Sequence, residues 1–317
     1  MRYEKKAARL TALAAGLTLA VTACGDDGGG GGSSAELDGK EFTVGSKEFT
    51  EQIILGQIAI LALEDAGATV KDETGITGTA NVRKVLESGE IDMYWEYTGT
   101  GWIDILGNDT SNAPSDPQEL FDAVAEADSK NDISWIAKSS ANDTYAFAAS
   151  QETSDEFGVT TISDYAELAN SDPESASLCA AAEFLDRKDG FPGVEKAYGF
   201  DLPDEQITAV ELNIIYTALP KADPCNFGEV FESAGQIPAN DLVVLEDDKN
   251  FFPGYEVAMS VRTPVLEESP ELEDVLDPIA EKLTTEELQE MNAQVDVEGL
   301  PHEAVAQKWL EDNDLIG

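Results

Sequence analysis

From Phe42 to the C-terminus, short runs of β-branched and aromatic residues alternate with longer segments of helical periodicity. Phe42-Thr43-Val44-Gly45 reads as a strand. A helix follows through Ile53, Ile54, Ile58 and Leu61, with Thr50 as its cap and Glu51 near its positive end. This helix is apolar over much of its circumference, which predicts deep burial. Further along, residues 82–88 read as a helix closed by Gly89, and residues 91–97 as a strand. Strands at 145–149, 178–182, 243–245 and 257–261 interleave with helices at 164–169 and 194–198. The end is helical: Thr284 and Glu287 stand at capping-box spacing, and Trp309 sits in a last amphipathic segment. Such alternation argues for an α/β architecture. No internal repeat and no second linker interrupts it. Two lobes that share several chain crossings explain this better than two domains in series.

The first residues follow a different rule. Arg2, Lys5, Lys6 and Arg9 stand against a single Glu4, and residues 10–23 carry no charge. That apolar stretch is too short for a usual membrane-spanning helix, which needs about 20 residues. It ends in Val21-Thr22-Ala23-Cys24, which resembles a bacterial lipobox. Residues 1–23 are therefore expected to be a signal peptide and Cys24 a lipidated N-terminus. An ordinary signal peptide that happens to end near a cysteine is the competing reading. Residues 24–36 are rich in Gly, Asp and Ser and read as a flexible linker.

The balance of charge excludes some partners. The chain of 317 residues has 64 Asp and Glu against 19 Lys and Arg, a formal charge of −45. Nucleic acid and anionic lipid headgroups repel such a polyanion. The acids are spread along the whole chain, so they read as a solvated surface, and they would suit a saline habitat. Outside the cytoplasm Cys179 and Cys225 are a candidate disulfide; two small buried hydrophobes are the other reading.

Enzyme signals are weak. The one histidine, His302, falls at an expected helix start near the C-terminus, and no nucleophile-elbow, Walker or zinc-type spacing occurs. Carboxylate pairs carry no information in so acidic a chain. The informative segments are aromatic. Met93 to Trp102 holds four aromatic residues and then Thr and Gly at a strand end. Asn142-Asp143-Thr144-Tyr145 sets a carboxylate two residues before a tyrosine, hence on one face if extended. Phe251-Phe252-Pro253-Gly254-Tyr255 is a third aromatic turn. Taken singly, each reads first as core or interface packing.

Taken in order, five segments resemble one family. They are Gly45-Ser46-Lys47-Glu48-Phe49-Thr50-Glu51-Gln52, Glu96-Tyr97-Thr98-Gly99-Thr100, Asn142 to Tyr145, Glu183-Phe184-Leu185-Asp186-Arg187-Lys188-Asp189-Gly190 and Leu245 to Pro253. Across residues 40–316 the chain resembles the glycine betaine/choline/carnitine substrate-binding proteins of osmoprotectant ABC importers. The resemblance implies a bilobal periplasmic-binding-protein fold of the second type, with a hinge and an interlobe cleft. It places lobe I at 37–140 plus 252–317 and lobe II at 141–251. It implies a monomer without enzymatic activity, cofactor or metal, anchored by its lipid and delivering ligand to a permease with its ATPase.

By motif, the resemblance puts an aromatic box at Tyr97, Tyr145, Phe231 and Tyr255. Lys47, Thr100 and Arg187 fall where the ligand's polar end is contacted, and Asp143 where an acid lies at the site. A trimethylammonium group has charge but no N–H to donate, so ring faces recognise it, at roughly 0.5–2 kcal/mol each. A betaine carboxylate suits charge-assisted donors. Arg187 could instead pair with Asp186 or Asp189, and Lys47 with Glu48 or Glu51. The chain departs from the family at Phe231-Glu232-Ser233-Ala234, where a tyrosine and Ser-Thr-Asp are usual, and in residues 221–226 before it. A shifted alignment would bring Tyr216 to the site, although Tyr216 reads as core. Trp95 and Trp102 are expected nearby. Other readings are a binder of another small cation or amino acid, a carboxylate-based hydrolase, and an adhesive or sensory lipoprotein.

Overall fold

The computed structural model describes residues 36–317. The expected signal peptide, Cys24 and all of the linker except Glu36 lie outside the described residues.

Among the described residues, ten strands form two five-stranded sheets. The first holds β1 (Glu41–Lys47), β2 (Thr69–Ile76), β3 (Met93–Tyr97), β4 (Ile133–Ile136) and β10 (Val257–Arg262), in the order β2-β1-β3-β10-β4. The second holds β5 (Tyr145–Ser150), β6 (Leu178–Ala180), β7 (Ile207–Ala209), β8 (Phe227–Phe231) and β9 (Leu242–Val244), in the order β7-β6-β8-β5-β9. The two have one plan. β1 runs parallel to β2 and β3, as β6 does to β7 and β8. β10 is antiparallel to β3 and β4, as β5 is to β8 and β9. In each sheet the antiparallel strand is the first one made after the chain arrives from the other sheet. The expected α/β, bilobal class is what the topology shows.

Helices cover the sheets. α1 (Thr50–Asp65) is buried around most of its circumference, as its apolar residues require. Its start differs from expectation: Phe49 occupies the cap position without a side-chain bond, and Thr50 is already helical. The Thr50 hydroxyl instead donates to Asp296 Oδ1 at 2.6 Å, a tertiary partner that local capping rules cannot anticipate. α2 (Thr79–Ser88) ends at Gly89, which takes φ 79° and closes the helix with bonds to the Leu86 and Val85 carbonyls. α3 (Ile162–Ser171) begins earlier than expected because Thr161 and Asp164 form a reciprocal capping box. At α4 (Thr285–Asp296), Thr284 accepts from the Glu287 N–H, but the Glu287 carboxylate accepts from Trp309 Nε1 at 2.6 Å. That bond ties the final helix, α5 (His302–Asp312), to the body. None of the described helices is long and apolar enough to cross a membrane.

Cys179 on β6 and Cys225 just before β8 are bridged, with Cα atoms 5.6 Å apart. The bridge lies in a buried cluster with Ile215, Tyr216, Leu219 and Val230. It fixes the segment that leads into β8, and β8 carries part of the site described next.

Candidate ligand-binding site

β3 is buried along its whole length and ends at Tyr97. A short turn of helix, Thr98–Thr100, then carries the chain away. A Cβ on Gly99 would stand 2.7 Å from the Tyr255 ring and 2.8 Å from the Gly254 carbonyl, so glycine is what lets this turn lie against that ring. On the second sheet, Tyr145 of β5 is directly opposite Phe231 of β8, and Phe147 is opposite Glu229. Facing partners in an antiparallel pair share a face, as do residues two apart. Tyr145, Phe231 and Glu229 are therefore delivered to one side of the sheet.

These elements enclose a cavity of about 180 Å³. That is below the roughly 300–1,000 Å³ of sites for drug-sized ligands, so it suits a small organic ion. Tyr97, Tyr145, Phe231 and Tyr255 all line it, as do Lys47, Thr100 and Asp143. Tyr145 is the hub of the rings: its centroid lies 4.9 Å from that of Phe231, 5.1 Å from Phe184 and 5.5 Å, edge-on, from Tyr255. Phe49 stacks between Tyr97, at 6.4 Å, and Phe231, at 5.4 Å. Phe49 and Phe184 were legible within the quoted motifs but were not assigned to the site. Tyr216 stays beneath the wall, where its hydroxyl accepts the Phe231 N–H at 3.0 Å.

The basic residues are less free than a carboxylate clamp requires. Lys47 Nζ donates to Glu96 Oε1 at 2.6 Å, and both side chains are buried. Its ammonium also lies 5.1 Å from the Tyr97 ring centre. Neither Glu48 nor Glu51 is its partner. Arg187 is buried and does not line the cavity. Its Nε and one terminal nitrogen clasp Asp189 at 2.8 and 2.5 Å, and the other reaches Glu183 at 3.1 Å. It also donates to the Thr100 hydroxyl at 3.3 Å, and its guanidinium carbon is 5.4 Å from the Tyr145 ring centre. Trp95 and Trp102 are not on the cavity wall; Trp95 packs in the large core and Trp102 against a separate cluster that includes Val82 and Tyr94.

Behind the rings is an acid pair that sequence reasoning did not assemble. Ser233 Oγ lies 2.5 Å from both Glu51 Oε2 and Asp143 Oδ1. A serine hydroxyl has one proton to donate, so one of these contacts needs a protonated carboxyl. Glu51 already accepts from Tyr97 Oη at 2.7 Å and Asn292 Nδ2 at 2.9 Å. The donors therefore converge on Glu51 as the anion and leave Asp143 as the acid. Burial, followed by the neighbouring Glu51, pushes Asp143 well above the usual carboxylate range. Burial also raises Glu51, against the donors that hold it down. Motif spacing places Asp143 near the site but cannot reveal a contact with residues 92 earlier and 90 later in the chain.

Glu229 and Glu183 complete the wall. Burial opposes ionisation of Glu183, but Lys47, Thr79 and Arg187 hold its carboxyl below the ordinary range. For Glu229 burial outweighs the Ala181 N–H and the pull of Arg187, Glu183 adds to it, and the carboxyl is pushed up to about 8. Two carboxyls in one cavity thus differ in charge at neutral pH.

Residues 40–312 match the family model described as the substrate-binding domain of an ABC-type glycine betaine transport system. The chain is 33% identical over 278 residues to a glycine-betaine-binding protein of Pseudomonas aeruginosa, covering 86% of this chain and 88% of that one. It is 31% identical over 277 residues to a Helicobacter pylori protein named ergothioneine transport permease/ergothioneine binding protein. That match covers 87% of this chain but 48% of the relative, so the chain spans about half the relative's length. Among solved structures, apo YehZ of Escherichia coli superposes with a TM-score of 0.63 at 31% identity, over 87% of this chain and 99% of that one.

Proposed function

The chain belongs to the family of substrate-binding domains of ABC-type glycine betaine transport systems, and on that premise we propose that it captures a small quaternary-ammonium compound outside the cytoplasm. The observation that carries this reading is the set of rings around one small cavity: Tyr97, Tyr145, Phe231 and Tyr255, joined by Phe49 and Phe184. A trimethylammonium group offers methyl surface and positive charge, and ring faces satisfy both. The ionised carboxylate of Glu183 on the same wall adds to that preference for a cation.

In this reading Asp143 and Tyr97 lie behind the cationic end, while Lys47 and Thr100 meet the polar end. Arg187 acts through its bonds to Thr100 and Glu183, holding them in place. Lobe boundaries at 140/141 and 251/252 are supported by the two passages of chain between the sheets. Ligand bridging the sheets would favour the closed form through its differential affinity for it. The closed form would be presented to a permease and its ATPase by a monomer tethered through Cys24, with no chemistry done on the ligand.

Calorimetry with glycine betaine, choline, carnitine, proline betaine and ergothioneine tests the reading. Ergothioneine is included because one relative is named for it. Binding of at least one, with intact compound recovered afterwards, is the expected result. No heat with any of them would refute it, and turnover would move the protein to the hydrolases.

A further inference from the structure

Glu229 is 1% exposed yet lines the cavity. Its Oε2 accepts the Ala181 N–H at 2.7 Å. Its other oxygen has no hydrogen-bond partner among the described residues. No cation of the described residues forms an ion pair with it: Lys47 is taken by Glu96, and Arg187, held by Asp189 and Glu183, acts on it only at longer range. The titratable groups packed around it are Glu183 and Arg187 after β6, Tyr145 on β5 and Tyr216 on the helix Leu212–Ala218. A buried carboxyl without a counter-ion takes up a proton rather than stay charged. Because the Ala181 N–H requires an acceptor, the carbonyl oxygen is held there, and the O–H belongs to the oxygen without a partner.

We infer that Glu229 selects the ligand by its far end, donating a hydrogen bond as a neutral acid to a ligand carboxylate seated beside the aromatic box. The inference rests on the quaternary-ammonium reading of that box. Glu229 and Phe231 are two residues apart on the same face of β8, roughly 7 Å along the strand. A small zwitterion with its methyl groups on the rings therefore brings its carboxylate toward Glu229. Lys47 uses one of its three donors on Glu96 and is the cationic neighbour of that end. Once ionised, Glu229 would repel a carboxylate and would accept from a hydroxyl instead. The choice between a zwitterion and an alcohol of similar size then depends on one proton.

The test compares glycine betaine with choline by calorimetry at pH 6.5 and pH 9, in wild type and in Glu229→Gln. A group half-ionised near pH 8 is about nine-tenths ionised one unit higher. The betaine-to-choline affinity ratio of wild type should therefore fall about tenfold between the two pH values. In Glu229→Gln the amide oxygen takes the Ala181 N–H and the NH₂ faces the cavity as a permanent donor, so the ratio should stay constant. A wild-type ratio that does not change, or an equal fall in the variant, overturns the inference while leaving the box intact. Failure of wild type to bind either compound at both pH values refutes the box, and the inference with it. The wild-type titration decides the matter even if the variant does not fold.

Discussion

The uncharged state of Glu229 has a consequence for stability that needs no ligand. Below pH 4.5, its ordinary value, the side chain is protonated whether the chain is folded or not. Between 4.5 and about 8 the folded protein keeps the proton and the unfolded chain does not. Unfolding then releases a proton, so stability falls as pH rises, by about 1.4 kcal/mol per pH unit. Across the whole interval the loss is about 5 kcal/mol, and above pH 8 it is complete. Glu229→Gln is neutral throughout and still accepts from the Ala181 N–H, so it lacks this slope. Urea unfolding of both proteins at pH 5, 6, 7 and 7.5 measures it. The variant should gain on wild type by about 3 kcal/mol from pH 5 to pH 7.5. Taking the difference cancels the self-repulsion common to two such acidic chains. Parallel pH profiles would refute the reasoning, because they would mean that Glu229 is ionised when buried.

Three further outcomes are expected. Tyr145→Ala should weaken ligand binding between twofold and thirtyfold in calorimetry, the worth of roughly 0.5–2 kcal/mol for one ring; Tyr216→Phe should lower urea stability instead, because it removes the acceptor of the Phe231 N–H. Glu51→Gln should cost about 1–3 kcal/mol in urea unfolding, since its amide would face donors, while Asp143→Asn should be nearly neutral, since it imitates the protonated acid. Replacing Cys225 by Ser should cost up to about 4 kcal/mol by the same measurement, from a bridge spanning 46 residues of chain.

β1, β3, β5, β6, β9 and β10 were legible because they are short apolar runs separated by helical periodicity, whereas β2, β4 and β7 were not assigned. The whole of β8 was not assigned, since Phe227-Gly-Glu-Val-Phe231 interrupts its apolar run with a glycine and a buried acid. Strand β6 was read two residues too long. Ala181, at its end, gives its N–H to Glu229 rather than to a neighbouring strand, and no local propensity signals that. Tyr97, Tyr145, Phe231 and Tyr255 line one cavity, and the first two are placed by contiguous motifs: Tyr97 ends β3 and Tyr145 begins β5. Thr50 is the opposite case. Its spacing fits a cap, but Asp296, far along the chain, is the better partner.

The charges at the site explain why cations were the hardest residues to read. The family resemblance sets Lys47 and Arg187 at the ligand's polar end, and motif spacing says nothing of the carboxylates that surround them in the fold. A buried cation must first be neutralised where it stands, because removing it from water costs several kcal/mol. Glu96 does this for Lys47 and Asp189 for Arg187. Tyr255 then donates to the same Asp189 at 2.7 Å, so the arginine that grips Asp189 also orients a ring of the box. Arg187→Lys retains the charge but loses the fork, and a lysine cannot clasp Asp189 while reaching Thr100 and Glu183. It should therefore weaken a ligand with no anionic end, such as tetramethylammonium, by displacing Thr100 and Tyr255. An arginine whose only work was to bind a carboxylate would leave tetramethylammonium affinity unchanged, and calorimetry with that ion separates the two.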